Sequence, residues 1–311
     1  MESAVYKLKR IVRMLRLIAS GGVVANIELN PGAEWIDDWF VLEKINDQTF
    51  IISEPRYYLK NNSYLILGDS QAILFDVGSG KRNIAPVVRS LTCLPLTVII
   101  SHSHSDHLGS IDEFEGCAIA DLPINRKHTR DGIFTPSFII YSNICRRPRI
   151  RVQRWLKINE LLDLGNRYLR VIHVPGHSAD SIALLDQTNG MLFGGDFLYH
   201  GNLIATVGGD LFDYLTSVRS LLEWTEGNEL IFPAHYATRL PADLLLDVEA
   251  ALVKIIEGRV EGRRYVFSRK YSVNEQVGLI TSKRLIRSAA RKLYQAGTEP
   301  EEELALDKIQ H

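Results

Sequence analysis

Within six positions the segment "HSHSDH" supplies three imidazoles and a carboxylate, His102, His104, Asp106 and His107. These side chains bind divalent cations. His102 and His104 are two residues apart, so in extended backbone they point the same way and can share a metal. Asp106 and His107 follow where the chain turns and can face a second metal, with Gly109 supplying backbone freedom. Three more residues of ligand type stand at the ends of apolar runs: His177 after "RVIHVPG", Asp196 after "MLFGG" and His235 after "ELIFPA". Three neutral imidazoles with one open position suit a catalytic zinc. A carboxylate between two cations lets them lie roughly 3.5–4 Å apart, a geometry used for hydrolysis. His128, His173, His200 and His311 stand apart from this pattern and read as core or surface histidines.

Residues this far apart in sequence meet only if strands deliver them to one rim of a sheet. The runs "TFIIS" (49–53), "SYLILG" (63–68), "AILFDVG" (72–78), "TVIIS" (97–101) and "CAIA" (117–120) predict strands. So do "RYLRVIHVPG" (167–176), "SIALLD", "MLFGGD" and "ELIFPAH", with Asn189-Gly190 marking a hairpin. Helices are expected over 82–92, 211–224, 241–257 and 275–297, and a strand within "RRYVFSRKYSV". Strands alternating with helices, and hairpins mixed in, indicate a layered α/β domain. Residues 125–160 carry many Arg and Lys against only Asp131 and Glu160, with "IFTPSFIIY" between. They read as a basic insertion over the core, either a solvated excursion or a lid that favours an anionic substrate.

The 311 residues carry a net charge of -1, which gives no support to general nucleic-acid affinity. Three cysteines, Cys93, Cys117 and Cys145, form no CxxC pair and suit a reducing, cytoplasmic setting. The basic start of the chain leads into an apolar stretch broken by Gly21-Gly22, too short for a signal core. Val5, Leu8, Val12, Leu15 and Ala19 recur at helical spacing instead. Such a helix over 4–19 would dock on its own domain, on a partner subunit or, through its basic faces, on an anionic membrane. With the amphipathic stretch at 281–296 it could also pair subunits in a homodimer. The expected organisation is a 1–44 extension, a 45–260 domain containing the 125–160 insertion, and a 261–311 strand-and-helix extension on the same domain.

The motifs "HSHSDH", "VPGHSADS", "FGGD" and "FPAH", with "ILFDVGSG" (73–80) ahead of them, resemble the metallo-β-lactamase superfamily in order and spacing across about 45–260. The resemblance implies an αββα sandwich, two mixed β-sheets flanked by helices with the metal site on one edge. It implies one metal on His102, His104 and His177, a second on Asp106, His107 and His235, Asp196 bridging, and Asp76 orienting a ligand from behind. "PAH" departs from the more usual Pro-Gly-His of that family, which puts the backbone at Ala234 in question.

The segment "GHSADSIALLD…MLFGGDFLYHG" is most similar to the glyoxalase II-like branch, with its acyl thioesterases and lactonases. The implied reaction is hydrolysis of a thioester, ester or lactone by a hydroxide bridging two zinc ions, Asp106 helping to position it. Acyl-CoA or S-acylglutathione would suit the basic insertion, with Arg146 and Arg147 as contacts to the anionic carrier. Tyr199 would donate a hydrogen bond to the developing oxyanion. Iron or manganese could replace zinc. A mononuclear iron persulfide-type dioxygenase, a phosphodiesterase and a non-enzymatic ligand sensor are the alternatives on the same fold. Antibiotic hydrolysis is at most a side activity, because Asp196 stands where the secreted β-lactamases have cysteine or serine. The implied partner is a small-molecule acyl substrate, with no nucleic acid.

Overall fold

The computed structural model describes residues 27–138, 141, 147–206, 208–225 and 229–298. The amphipathic segment 4–19, Arg146, Cys145 and His311 lie outside the described residues.

A meander of antiparallel strands, Ala33–Trp35, Val41–Asn46, Thr49–Glu54, Asn61–Leu67 and Ala72–Phe75, opens the first sheet. Ala72–Phe75 then pairs in parallel with Leu96–Ile99, which pairs in parallel with Cys117–Ala120. The crossover to Leu96–Ile99 runs through the helix Ala85–Leu91, as parallel pairing requires. Ile150–Leu156 adds a further parallel strand beside Cys117–Ala120, and Ile133–Phe134 and Thr129–Arg130 complete this ten-stranded sheet. The segment expected as a covering insertion therefore contributes sheet. Its middle, "RVQRW", is mostly solvent-facing, with Ile150 and Leu156 buried at the two ends and Arg151 and Arg154 exposed.

The second sheet is also mixed. Leu161–Asp163, Tyr168–His173, Ile182–Asp186 and Met191–Gly195 run antiparallel, and Met191–Gly195 pairs in parallel with Leu230–Pro233. The turn at Asn189-Gly190 is held by the Asp186 carboxylate, which accepts from the Thr188 and Asn189 amides at 3.0 and 3.2 Å. The inner faces of the two sheets meet in one core: Ile51, Tyr64, Phe75 and Ile99 lie against Val171, Leu184, Phe193 and Phe232. Outside the first sheet, Val87 and Val88 of the short helix cover Leu74 and Ile100. Outside the second, the helices Leu211–Trp224, Leu244–Ile256 and Lys283–Thr298 bury Leu215, Leu252 and Ala289. The result is the four-layer αββα order.

A buried ion pair ties the sheets together. Arg167 is 1% exposed and spends all five donor positions: on Asp186 through Nε (2.9 Å) and Nη2 (2.7 Å), on the Gln48 and Leu67 carbonyls, and on Thr49 Oγ1. Asp186 belongs to the second sheet; the other three partners belong to the first sheet or its turn.

The C-terminal part differs from its expected form. Helix was expected over 275–297, yet Val277–Thr281 is a strand, pairing in parallel with Gly201–Ala205. "RRYVFSRKYSV" is a hairpin of two strands, Arg263–Tyr265 and Ser268–Ser272. Together they make a third, four-stranded sheet. "VGLIT" is a short buried apolar run, and periodicity alone does not separate such a run from helix. The helix Lys283–Thr298 follows, and its apolar side, Leu285, Ile286, Ala289 and Leu293, lies on its own domain. No helix among the described residues is long and apolar enough to cross a membrane.

Candidate metal centre

The ligand-type residues all follow strand ends. Residues 102–107 leave the first sheet after Leu96–Ile99. His177, Asp196 and His235 leave the second sheet after Tyr168–His173, Met191–Gly195 and Leu230–Pro233. The two rims meet, and the seven residues form two adjoining groups. His102, His104, His177 and Asp196 make one; Asp106, His107 and His235 make the other, each with ligand atoms within 4.8 Å of one another.

Asp196 faces both groups with different oxygens. Its Oδ2 lies 3.3 Å from His177 Nε2 and 3.9 Å from His102 Nε2. Its Oδ1 lies 3.0 Å from His235 Nε2 and 3.2 Å from His107 Nε2. Asp106 stands 3.8 Å from His107 Nε2 through Oδ1 and 3.7 Å from His235 Nε2 through Oδ2. His104 Nδ1 is 2.9 Å from His177 Nε2.

The outer nitrogens are fixed from behind. Asp76 Oδ2 accepts from His107 Nδ1 at 2.8 Å and from Ser101 Oγ at 2.7 Å. Ser101 Oγ in turn lies 3.0 Å from His102 Nδ1. The Ile204 carbonyl accepts from His177 Nδ1 at 2.8 Å. With Nδ1 of all three rings turned outward onto these partners, each Nε2 points inward, the orientation a metal needs. Asp180 braces the two ligand loops to each other, accepting from Ser103 on one and, at 2.7 Å, from Ser178 on the other.

Two glycines permit the close approach. A Cβ at Gly109 would lie 2.1 Å from the Ser79 carbonyl carbon, so this glycine serves contact between loops rather than the turn expected of it. Gly195, at φ +54°, would meet Ser101 Cβ at 2.9 Å. Ala234 keeps an ordinary φ; the left-handed residue in that loop is Tyr236, at +61°. The replacement of glycine in "PAH" is therefore free of backbone strain.

Cations fit this arrangement on three counts. His102 Nε2, His107 Nε2, Asp196 Oδ1 and His235 Nε2 are buried and without hydrogen-bond partners, and all four converge. Orphaned buried atoms of this kind are costly unless something binds them. Burial, with the neighbouring rings of His107 and His104, holds His102 well below the usual imidazole range. Burial and the adjacent His177 bring His104 down to about 4, so both rings keep free lone pairs. Burial alone would raise the Asp196 carboxyl, but His235 and His107 hold it well below the usual carboxylate range, ionised and ready to bridge.

The remaining expected residues are placed differently. Tyr199 is buried, its ring edge on to His235, and its hydroxyl donates to the Asn202 carbonyl at 2.9 Å. Its proton is committed to the backbone rather than free to meet a substrate oxygen. Arg147 is exposed and donates to the Pro136 carbonyl at 3.1 Å. Two other phenols border the site and were not singled out from sequence. Tyr58 is pushed up to about 12 by burial and by Asp106, and Tyr236 is pushed up by burial, Asp196 and Asp106. Tyr236 adjoins His235 in sequence, and its amide donates to the Leu59 and Lys60 carbonyls, tying it to the segment that carries Tyr58. Asn61, whose Nδ2 donates to the Asp106 carbonyl at 2.8 Å, and Ser101 and Asp180 carry no sequence signal; only the fold shows what they touch.

The comparisons with known proteins agree with this geometry. The family model for the metallo-beta-lactamase superfamily matches residues 57–235. Acyl-coenzyme A thioesterase MBLAC2 of Bos taurus is 28% identical over 230 residues, covering 65% of this chain and 82% of that protein. Hydroxyacylglutathione hydrolase of Xanthomonas axonopodis pv. citri (strain 306) is 28% identical over 197 residues, 60% of this chain and 64% of that one. A metallo-beta-lactamase from Pontibacter korlensis shares the fold, with a TM-score of 0.55 and 17% identity over 69% of this chain and 99% of its own. Two facing mixed sheets, ligand loops on their shared rim and a family match across more than half the chain lead to one statement: this protein belongs to the metallo-beta-lactamase superfamily.

Proposed function

We propose that the protein is a dinuclear zinc hydrolase of thioesters or related esters and lactones, acting on a small acyl substrate with an anionic carrier such as coenzyme A or glutathione. The observation that carries this is the placement of Asp196 between two groups of inward-facing imidazoles, one carboxylate oxygen toward each. His102, His104 and His177 would hold one cation, Asp106, His107 and His235 the other, and Asp196 both. When bound, the pair supplies an acidified water at neutral pH and Lewis-acid polarisation of the carbonyl. Thioester relatives, an acyl-CoA thioesterase and a hydroxyacylglutathione hydrolase, favour an acyl carrier over a phosphodiester.

The chain's own residues account for the rest. Asp76, Ser101 and the Ile204 carbonyl hold the imidazoles in one orientation. Asp106 Oδ1 or Oδ2 would orient the attacking water and pass its proton to the leaving thiolate. Tyr58 and Tyr236, whose phenols stay protonated, border the place where a substrate carbonyl would lie and could donate to it. Tyr199 could do so only by giving up Asn202.

The test is a metal-resolved screen. Protein loaded with zinc, iron or manganese is assayed on acyl-CoA, S-acylglutathione, a homoserine lactone and bis-nitrophenyl phosphate. Zinc-dependent turnover of a thioester above the phosphodiester is expected. Turnover confined to the phosphodiester, or no turnover of any acyl compound, would overturn the reading.

A further inference from the structure

The hairpin Arg263–Tyr265 and Ser268–Ser272 is built against the ordinary rules of such turns. Its two-residue connection is Val266-Phe267, where Asn-Gly or a similar pair is usual. Val266 is held at φ +50°, unfavourable for a β-branched residue. Phe267 is 98% exposed and Val266 47%. Folding gains almost nothing from a phenylalanine left this fully in solvent.

The strands behind the tip are as unusual. Arg263 stands directly opposite Lys270, and Arg264 opposite Arg269. Like charges in directly opposed positions destabilise a hairpin. Arg269 donates to the Gly262 carbonyl at 2.8 Å, and none of the four makes an ion pair among the described residues. Glu261 and Glu275 share a cavity of about 470 Å³ with Arg263 and Lys270 and form no ion pair with them among the described residues. From 263 to 292 the sequence has nine Lys or Arg and one Glu, in a chain whose net charge is -1.

We propose that this hairpin docks the protein on an anionic lipid bilayer, Val266 and Phe267 entering the interface and the four cations meeting headgroup phosphates and carboxylates. The order of the groups favours a bilayer. Strands rise about 3.4 Å per residue, so the cations, two and three residues back, stand roughly 7–10 Å behind the tip, the depth that separates acyl boundary from headgroups. A single-stranded nucleic acid could stack a base on Phe267, but it would leave Val266 unburied and calls for a charged groove along several nucleotides rather than a two-residue tip. A stable protein interface needs a far wider apolar surface than two residues. Two side chains and a handful of charges give reversible attachment that depends on anionic lipid. The inference does not depend on the hydrolase reading.

Full-length protein is sedimented with vesicles of phosphatidylcholine alone or mixed with phosphatidylserine. Binding to the mixed vesicles alone is expected, weakening as salt rises. Phe267→Ser should weaken it about tenfold. Arg264→Gln and Lys270→Gln should each weaken it about fivefold. The three side chains are exposed, and unchanged thermal melting will verify folding. Three outcomes overturn the proposal. One is no binding to the mixed vesicles. Another is wild-type binding by Phe267→Ser with the cation variants weakened, which is charge adsorption alone. The third is binding untouched by any variant, which places the contact on another element such as residues 4–19.

Discussion

Asp76 Oδ2 lies 2.8 Å from His107 Nδ1, and the same oxygen takes the Ser101 hydroxyl at 2.7 Å, while Oδ1 takes the Ser101 amide at 2.7 Å. One carboxylate thus sets two rings, His107 directly and His102 through Ser101. Asp76→Asn would put a donor where an acceptor is required. Its affinity for zinc should fall about 10–100-fold, with zinc retained at saturation. Competition against a chelator measures it; an unchanged affinity would remove Asp76 from this role.

Asp196→Asn tests the bridge. Its two oxygens serve different groups, so the amide should lower the metal content below two ions and cost about 100-fold or more in kcat/KM. Elemental analysis beside thioester kinetics reads both, and a variant holding two ions at wild-type rate would contradict the bridging arrangement.

Tyr199→Phe separates two uses of one hydroxyl. As the structure has it, the phenol secures the 199–202 turn, so the variant should lose about 0.5–1.5 kcal/mol of stability and keep kcat within about twofold. A drop of about 10²–10³ in kcat would instead show a hydrogen bond made in the transition state.

Arg167→Met leaves the Asp186 carboxylate buried without its partner. A loss of about 3–5 kcal/mol in urea unfolding is expected, with Asp186→Asn in the Arg167→Met background, which keeps an acceptor for the Thr188 and Asn189 amides, recovering part of it. Additive losses would argue against direct coupling.

Glu54 carries a pH signature. It accepts from Trp39 Nε1 at 2.8 Å and from the Ser79 amide at 2.7 Å, yet burial raises its carboxyl above the ordinary 4.5, Asp106 adding to the effect. Above 4.5 and below the raised folded value, the native state binds more proton than the unfolded chain. Stability from this group is therefore full below 4.5 and lost as pH climbs through that window. Glu54→Gln should flatten that part of the profile in denaturant midpoints from acid to neutral pH.

Much of the site was legible because chemistry and fold coincide at strand ends. "TVII" before His102 and "MLFGG" before Asp196 are apolar runs that stop at a ligand-type residue, and the period-2 direction of His102 and His104 is local information. Apart from Asp76, expected through the family resemblance, the supporting contacts were not legible. Ser101 reaches His102 and Asp76 at once because neighbouring strands of one sheet end together, and Gly195 of the facing sheet leaves room for its side chain. Asp180 looks like one more loop acid until Ser103 and Ser178 are seen on either side. The third sheet was misread for a different reason: "VGLIT" is too short to show a period, and its partner Gly201–Ala205 is some seventy residues earlier.

The two groups of side chains draw on both halves of the sandwich, 102–107 from one sheet and 177, 196 and 235 from the other. Whatever ions settle there act as a rivet through the seam. Loading the site and mating the halves would then be a single event, and without ions the inward-facing nitrogens and carboxylate oxygen would stay unpaired at the junction where the halves meet.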